Sequence, residues 1–125
     1  MKHILYISLI LFSFGFQNTQ ESNDKLIYQD KIQKTVKTSF WVNGVCEMCQ
    51  TRIQKAALNT KGVKMANWVI KTKILTVVYN DKKCSVDQIK KNLAKAGHDT
   101  VAYKATDEDY DNLHGCCHYD RSDTP

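Results

Sequence analysis

The chain has 125 residues, of which 42% are hydrophobic and 25% are charged, and its formal net charge is +5. This length and composition predict one ordinary globular domain. The 18 basic residues are interspersed with 13 acidic ones and form no basic stripe, which argues against a nucleic-acid partner.

The first segment has the pattern of a secretory signal peptide, which we assign to residues 1–16. Lys2 provides a short positive start, and residues 4–16 form an apolar run that is too short for a comfortable membrane span. Ser13 and Gly15 are small residues at the spacing that signal peptidase requires, so we expect cleavage after Gly15. An uncleaved membrane anchor is the alternative. The pattern predicts an exported protein, periplasmic if the source is a Gram-negative bacterium.

Export changes the expectation for the five cysteines, because small proteins in oxidising compartments usually pair them. The odd number leaves at least one cysteine free, bound to a ligand or linked to another molecule. None of the spacings is typical of a multi-disulfide scaffold.

After the leader, residues 17–34 are polar and typical of a flexible spacer. Strand-like and helix-like stretches then alternate. The predicted elements are, in chain order, strand 35–42, helix 47–58, strands 63–69 and 74–79, helix 86–96 and strand 100–104. This order predicts an α+β protein with the ferredoxin-like βαββαβ fold, a four-stranded antiparallel sheet with two helices on one face.

Cys46 and Cys49 lie at the junction between the first predicted strand and the first predicted helix. A thiol in the first turn of a helix faces unpaired backbone N–H groups and the positive end of the helix dipole, and both favour the thiolate. Thiolate is the form that binds metals or attacks disulfides. The Cys-x-x-Cys pair alone does not distinguish these two functions.

The motifs of this region resemble the heavy-metal-associated (HMA) domain family. The resemblance rests on the Gly-x-Cys-x-x-Cys loop at residues 44–49, on Ile53, on Gly62-Val63 and on Gly97-His98-Asp99. It covers residues 35–104 of the chain. The family includes soluble copper chaperones, modules of copper-transporting ATPases and periplasmic mercury-binding proteins. Here the loop has one residue fewer between its glycine and Cys46 than is usual in the family, which leaves the metal preference open. The tail, residues 105–125, carries a Cys-Cys-x-Tyr sequence and resembles exported bacterial members.

The resemblance implies a soft-metal-binding protein and not an enzyme. Two thiolates suit copper(I) or mercury(II), which accept two sulfur ligands, whereas zinc(II) prefers four ligands. We therefore predict an exported copper(I) metallochaperone or scavenger, with a periplasmic mercury(II)-binding protein, or one for another thiophilic ion, as the alternative. Its expected partner is a metal-transporting membrane protein or another metal-binding domain. A metal-bridged homodimer is also compatible with an exposed dithiol.

A thiol–disulfide exchange protein is the alternative from another class. Thioredoxin-like enzymes also place Cys-x-x-Cys at a helix start, but members of that family have a cis-proline opposite the two cysteines. The single proline of this chain is Pro125, which weakens that reading. A disulfide between Cys46 and Cys49 would more readily be an oxidised resting form than a structural bond.

Further candidate ligands lie outside the motif. His98 follows the second predicted helix, where it is either a third, pH-dependent ligand or hydrogen-bond donor of the metal loop, or a surface histidine. Cys116 and Cys117, flanked by His114 and His118, would form a second soft-metal site, reach back to the main pair, or form a tail–body disulfide.

Two other sulfur-bearing side chains are expected to be structural. Cys84 is predicted to be a partly exposed loop residue, available to pair with a tail cysteine. Met48, between the two main cysteines, is expected to pack in the core more often than to bind metal.

Overall fold

A computed structural model of the chain describes residues 34–125. The predicted signal peptide, residues 1–16, and nearly all of the predicted spacer, residues 17–34, lie outside the described residues. None of the helices within the described range combines the length and apolar character needed to cross a membrane.

Three antiparallel strands form the sheet, in the order β1-β3-β2. They are β1 (Thr35–Trp41), β2 (Val63–Val69) and β3 (Ile74–Asn80), so each begins where it was predicted to begin. The central strand, β3, buries Leu75, Val77 and Tyr79 on one face, as its alternating pattern requires.

Two amphipathic helices supply the other half of the core. They are α1 (Glu47–Leu58) and α2 (Val86–Lys95), and both match the prediction within one residue. The buried residues of the two helices join those of the sheet in a single hydrophobic cluster. The helix members of this cluster are Cys49, Ile53, Ala57, Ile89 and Leu93.

The predicted fourth strand, at residues 100–104, is wrong. Only Thr100 forms an isolated antiparallel bridge, with Val42, and the chain then turns. The Thr100 N–H donates to the carbonyl of Tyr103 at 2.8 Å, and the Tyr103 N–H donates to the Thr100 hydroxyl at 3.0 Å. The Ala105 N–H donates to the carboxylate of Asp99 at 2.7 Å. These local bonds close a loop, and they override the strand propensity of the sequence. The ferredoxin-like arrangement is therefore present with three strands in the part of the chain that the structure describes.

The tail folds back onto the domain. It contains a short helix, α3 (Asp107–Asp111), and a 3₁₀ turn (Gly115–Cys117), and its Leu113 and Tyr119 are buried in the common core. Gly97, with φ of +94°, permits this contact, because a Cβ there would lie 2.7 Å from the Asp109 carbonyl oxygen.

Candidate metal centre

The loop between β1 and α1 is anchored by Asn43, which is fully buried. Its backbone N–H donates to the Asp99 carbonyl at 2.8 Å, and its side-chain amide donates to the Asp120 carbonyl at 2.9 Å. Its side-chain oxygen accepts from the Gly44 N–H and from Lys73 Nζ, both at 3.0 Å. Hydrogen bonds of Asn43 thus connect the loop to both the domain and the tail.

The indole of Trp68 lies directly beneath this loop, and its Nε1–H donates to the Val42 carbonyl at 3.1 Å. A Cβ on Gly44 would lie 3.1 Å from this ring and 3.0 Å from the Cβ of Cys49. A side chain at position 44 would therefore be tightly crowded beneath the thiols, and Trp68 itself is a fully buried core residue.

Cys46 and Cys49 lie together at the start of α1, with their Sγ atoms 3.4 Å apart. Cys46 is half-buried, whereas Cys49 is fully buried and accepts a hydrogen bond from the Val45 N–H at 3.5 Å. All five cysteines are free thiols. The separation of the pair is well beyond a bonded distance of about 2.05 Å, so the main pair is a dithiol here.

The two tail cysteines reach the same place. The Sγ atom of Cys46 lies 3.6 Å from that of Cys116 and 3.6 Å from that of Cys117. These three sulfurs all lie within 4.8 Å of one another. Of the three arrangements considered for the tail cysteines, the structure shows the one in which they reach back to the main pair.

The thiols differ in their acidity. Burial raises the pKa of the Cys46 thiol, but hydrogen bonds with the Cys49 backbone and with the thiols of Cys49, Cys117 and Cys116 together lower it to about 7. Burial and hydrogen bonds with Cys49 and Cys46 raise the pKa of Cys117. The hydrogen bond to Cys46 likewise raises the pKa of Cys116. At neutral pH, Cys46 therefore has more thiolate character than either tail thiol.

His98 is fully buried, so the surface-histidine interpretation is wrong. Its Nδ1 lies 2.9 Å from the carbonyl oxygen of Asn43, and since a carbonyl only accepts, Nδ1 carries the proton. Its Nε2 has no hydrogen-bond partner in the described part of the chain. Burial lowers the pKa of this imidazole to about 4, so the ring is neutral at pH 7. Within residues 34–125, no cluster of three or more metal-binding side chains includes His98, which instead supports the loop from below.

The two tail histidines are not assembled with the thiols. His114 is exposed and lines a shallow groove with Met48 and Arg52. His118 is exposed and stacks on the ring of Tyr110, with the ring centroids 5.1 Å apart. The thiol cluster that the described residues contain is built from cysteines alone.

Two expectations for sulfur-bearing residues are wrong. Met48 is 42% exposed rather than packed in the core, and its Sδ lies 3.4 Å from the Sγ of Cys116. Cys84 is buried in the core rather than partly exposed, and its nearest hydrogen-bond acceptor is the Asn80 carbonyl oxygen at 4.0 Å. It is not paired with a tail cysteine.

A polar clamp that was not predicted from the sequence fixes the tail. The buried carboxylate of Asp99 accepts two hydrogen bonds from Arg121, from Nε and from Nη2, each at 3.0 Å. The Tyr119 hydroxyl accepts from the Asp99 N–H and donates to the Gly97 carbonyl, both at 2.8 Å. Gly97-His98-Asp99 is part of the motif that resembles the family. No sequence pattern, however, indicates that Arg121 is the partner of Asp99.

The family model that matches this chain is the heavy-metal-associated domain, over residues 39–99. Comparison with curated proteins gives no match. The solved structures with similar folds include the CopZ metallochaperone, with 27% identity and a TM-score of 0.50 over 52% of this chain and 98% of that one.

Two further structures extend the comparison. Oxidised MerP from Ralstonia metallidurans CH34 is 28% identical, with a TM-score of 0.52 over 54% of this chain and 94% of that one. The N-terminal domain of a potential copper-translocating P-type ATPase from Bacillus subtilis, in its Cu(I)-loaded state, is 32% identical. Its TM-score is 0.51, over 54% of this chain and 85% of that domain.

Proposed function

Because this chain belongs to the heavy-metal-associated domain family, we propose that it carries or scavenges a soft metal ion, copper(I) first, bound by Cys46 and Cys49. The observation that supports this proposal is the pair of free thiols at the start of α1, with Sγ atoms 3.4 Å apart. The family makes the domain a metal-binding domain of the chaperone type rather than an enzyme.

The chemistry of the pair suits a metal that must be both held and released. Soft thiolates select copper(I) over the harder divalent ions of the cell. Cys46 is half-buried at the loop surface, so an incoming thiolate can reach an ion there. A partner's thiolate then adds to the ion before Cys46 leaves it, and a second partner thiolate replaces Cys49. The ion is thus transferred without being released to water.

Copper(I) is placed first because a relative with 32% identity was solved in a Cu(I)-loaded state. Mercury(II), or another thiophilic ion, is the second candidate, since thiolates bind it equally readily and the chain also resembles MerP. The loop itself does not separate these ions, because both accept two sulfur ligands.

We further propose that the protein acts after export, in the periplasm of a Gram-negative source, and that it exchanges metal with a membrane transporter or another metal-binding domain. The support for export is the leader pattern of residues 1–16. The support for such a partner is the similarity to the domain of a copper-translocating ATPase. A metal-bridged homodimer would use the same exposed thiol.

A competition titration tests the assignment of the main site. The reduced protein is titrated with copper(I) against a calibrated chelator, beside a Cys46→Ser/Cys49→Ser double variant. Tight binding should be lost in the double variant, whereas a Cys84→Ser control, which removes a distant core thiol, should bind as the parent does. Unchanged tight binding in the double variant would show that the ion is held elsewhere.

Insulin reduction by the parent protein would favour thiol–disulfide exchange instead.

A further inference from the structure

We propose that Cys116 and Cys117 bind the same ion as Cys46 and Cys49, so that the site is a thiolate cluster of three or four sulfurs closed by the tail of the chain. This inference rests on the proposed function, because it concerns the coordination of the same cargo. It assigns the tail a ligand role that the Cys-x-x-Cys motif does not require.

The sulfur–sulfur distances carry the inference. With a metal–sulfur bond of about 2.3 Å, two sulfurs on opposite sides of a two-coordinate ion lie about 4.6 Å apart, whereas the edge of a tetrahedral sulfur set is about 3.8 Å. The three thiol contacts of Cys46 measure 3.4, 3.6 and 3.6 Å. These contacts are closer to the spacing of a site with three or four sulfurs than to that of a linear one. The sulfurs that all lie within 4.8 Å of one another are those of Cys46, Cys116 and Cys117, and Cys49 joins this group through its contact with Cys46.

The tail pair is held in this position by the fold. Cys117 is fully buried in the common core, and the tail on either side of it is fixed by the buried Leu113 and by the clamp between Arg121 and Asp99. Ligands that are already in place when the ion arrives bind it without a further loss of chain entropy. The tail thiols are therefore intramolecular ligands with a high effective concentration.

This arrangement changes how the ion would be exchanged. In an open dithiol site, the partner supplies the third thiolate during transfer. Here a tail thiol already occupies that role, so a partner must displace it. Cys116 is the exposed member of the set and has the Met48 thioether 3.4 Å away, which makes it the ligand a partner reaches first. We therefore expect tighter retention of the ion and slower transfer than from a site with two thiols alone.

X-ray absorption of the copper(I)-loaded protein counts the sulfur ligands directly. We expect three or more sulfurs and one copper ion per chain in the parent protein. Cys116→Ser should remove one sulfur from the count and weaken copper(I) binding roughly 10- to 100-fold. His114→Ala changes a neighbouring exposed residue that lies outside the thiol cluster, and it should leave both the count and the affinity unchanged.

The outcomes separate this inference from the proposed function. A parent site with two sulfurs, unaffected by Cys116→Ser, would overturn the role of the tail and leave the main pair as the binding site. Parent protein that binds copper(I) no more tightly than the Cys46→Ser/Cys49→Ser variant would overturn the proposed function itself. Cys117→Ser alters a core residue and can unfold the protein, so the test uses the substitution of the exposed residue, Cys116→Ser. Two or more copper ions per chain would contradict a single shared ion.

Discussion

His98 shows how a single residue links the metal loop to the tail. Its ring donates to the carbonyl of Asn43, two residues before the exposed Val45, and it lies 5.8 Å from the ring of Tyr119 in a stacked arrangement. The imidazole is buried as a neutral group, and among residues 34–125 its Nε2 has no hydrogen-bond partner to stabilise a second proton. A charged imidazolium there would lose its hydration, and the Asn43 carbonyl and the Asp99 carboxylate compensate for only part of that loss.

This burial predicts an acid sensitivity of the fold. The pKa of His98 is lowered from 6.5 to about 4. Between these two pH values, the imidazole is therefore protonated in the unfolded chain but neutral in the folded chain. The free energy of unfolding should therefore fall as the pH decreases from about 6.5 to about 4, by about 3 kcal/mol in total. Urea unfolding of a His98→Gln variant, which retains an N–H donor but does not titrate, should show a flatter pH profile.

His114→Gln is the matched control, because His114 is exposed and its removal should leave the pH profile of the parent unchanged. A His98→Gln variant that loses stability with acid as steeply as the parent would contradict this account of the buried imidazole.

At the residue scale, the chemistry of Cys46 and Cys49 was predictable because both lie within one local motif. The involvement of Cys116 was left open among three arrangements, because sequence does not give the distance between segments 70 positions apart. The burial of His98 was not predictable for the same reason, since Tyr119, which stacks on its ring, lies 21 positions further along the chain.

Some elements of the fold were likewise predictable from local sequence, whereas one was not. The periodicity of β3 and of α2 reflects a core face that each element presents along its own length, so local sequence determined both. Residues 100–104 have strand-forming side chains, but the hydrogen bonds of Asp99 and Thr100 with the backbone give the chain a competing turn. Asp99 is also bound by Arg121, which lies outside the segment, so its contacts could not be read from the local sequence.

The clamp on the tail is open to direct test. Arg121→Met preserves much of the side-chain volume but leaves the carboxylate of Asp99 buried without its cation, which should lower the free energy of unfolding by about 3 kcal/mol. The measurement is urea unfolding at pH 7.

Asp107→Asn provides the control on the same guanidinium. The carboxylate of Asp107 contacts Arg121 at 2.9 Å but is almost fully exposed, so its loss should change the stability by less than about 1 kcal/mol. Equal effects of the two substitutions on the free energy of unfolding would show that the buried contact between Arg121 and Asp99 stabilises the fold no more than the exposed one with Asp107.

Taken as a whole, the described residues form an HMA domain with a three-stranded sheet, and the C-terminal tail packs onto its core. The tail completes the core through Leu113 and Tyr119 and brings two thiols to the metal loop. The same segment thus serves folding and the candidate site. The sequence marks the tail by its cysteines, but its structural role follows from contacts with the Gly97–Asp99 region that become visible only in three dimensions.

The most direct test of the central claim is the metal content of the protein purified from its own compartment under anaerobic conditions. We expect a soft ion, copper(I) first, at one per chain, with Cys46 and Cys49 protected from alkylation until a chelator removes the ion. Protein that carries no thiophilic metal, and whose main cysteines react freely or are joined in a disulfide, would contradict it.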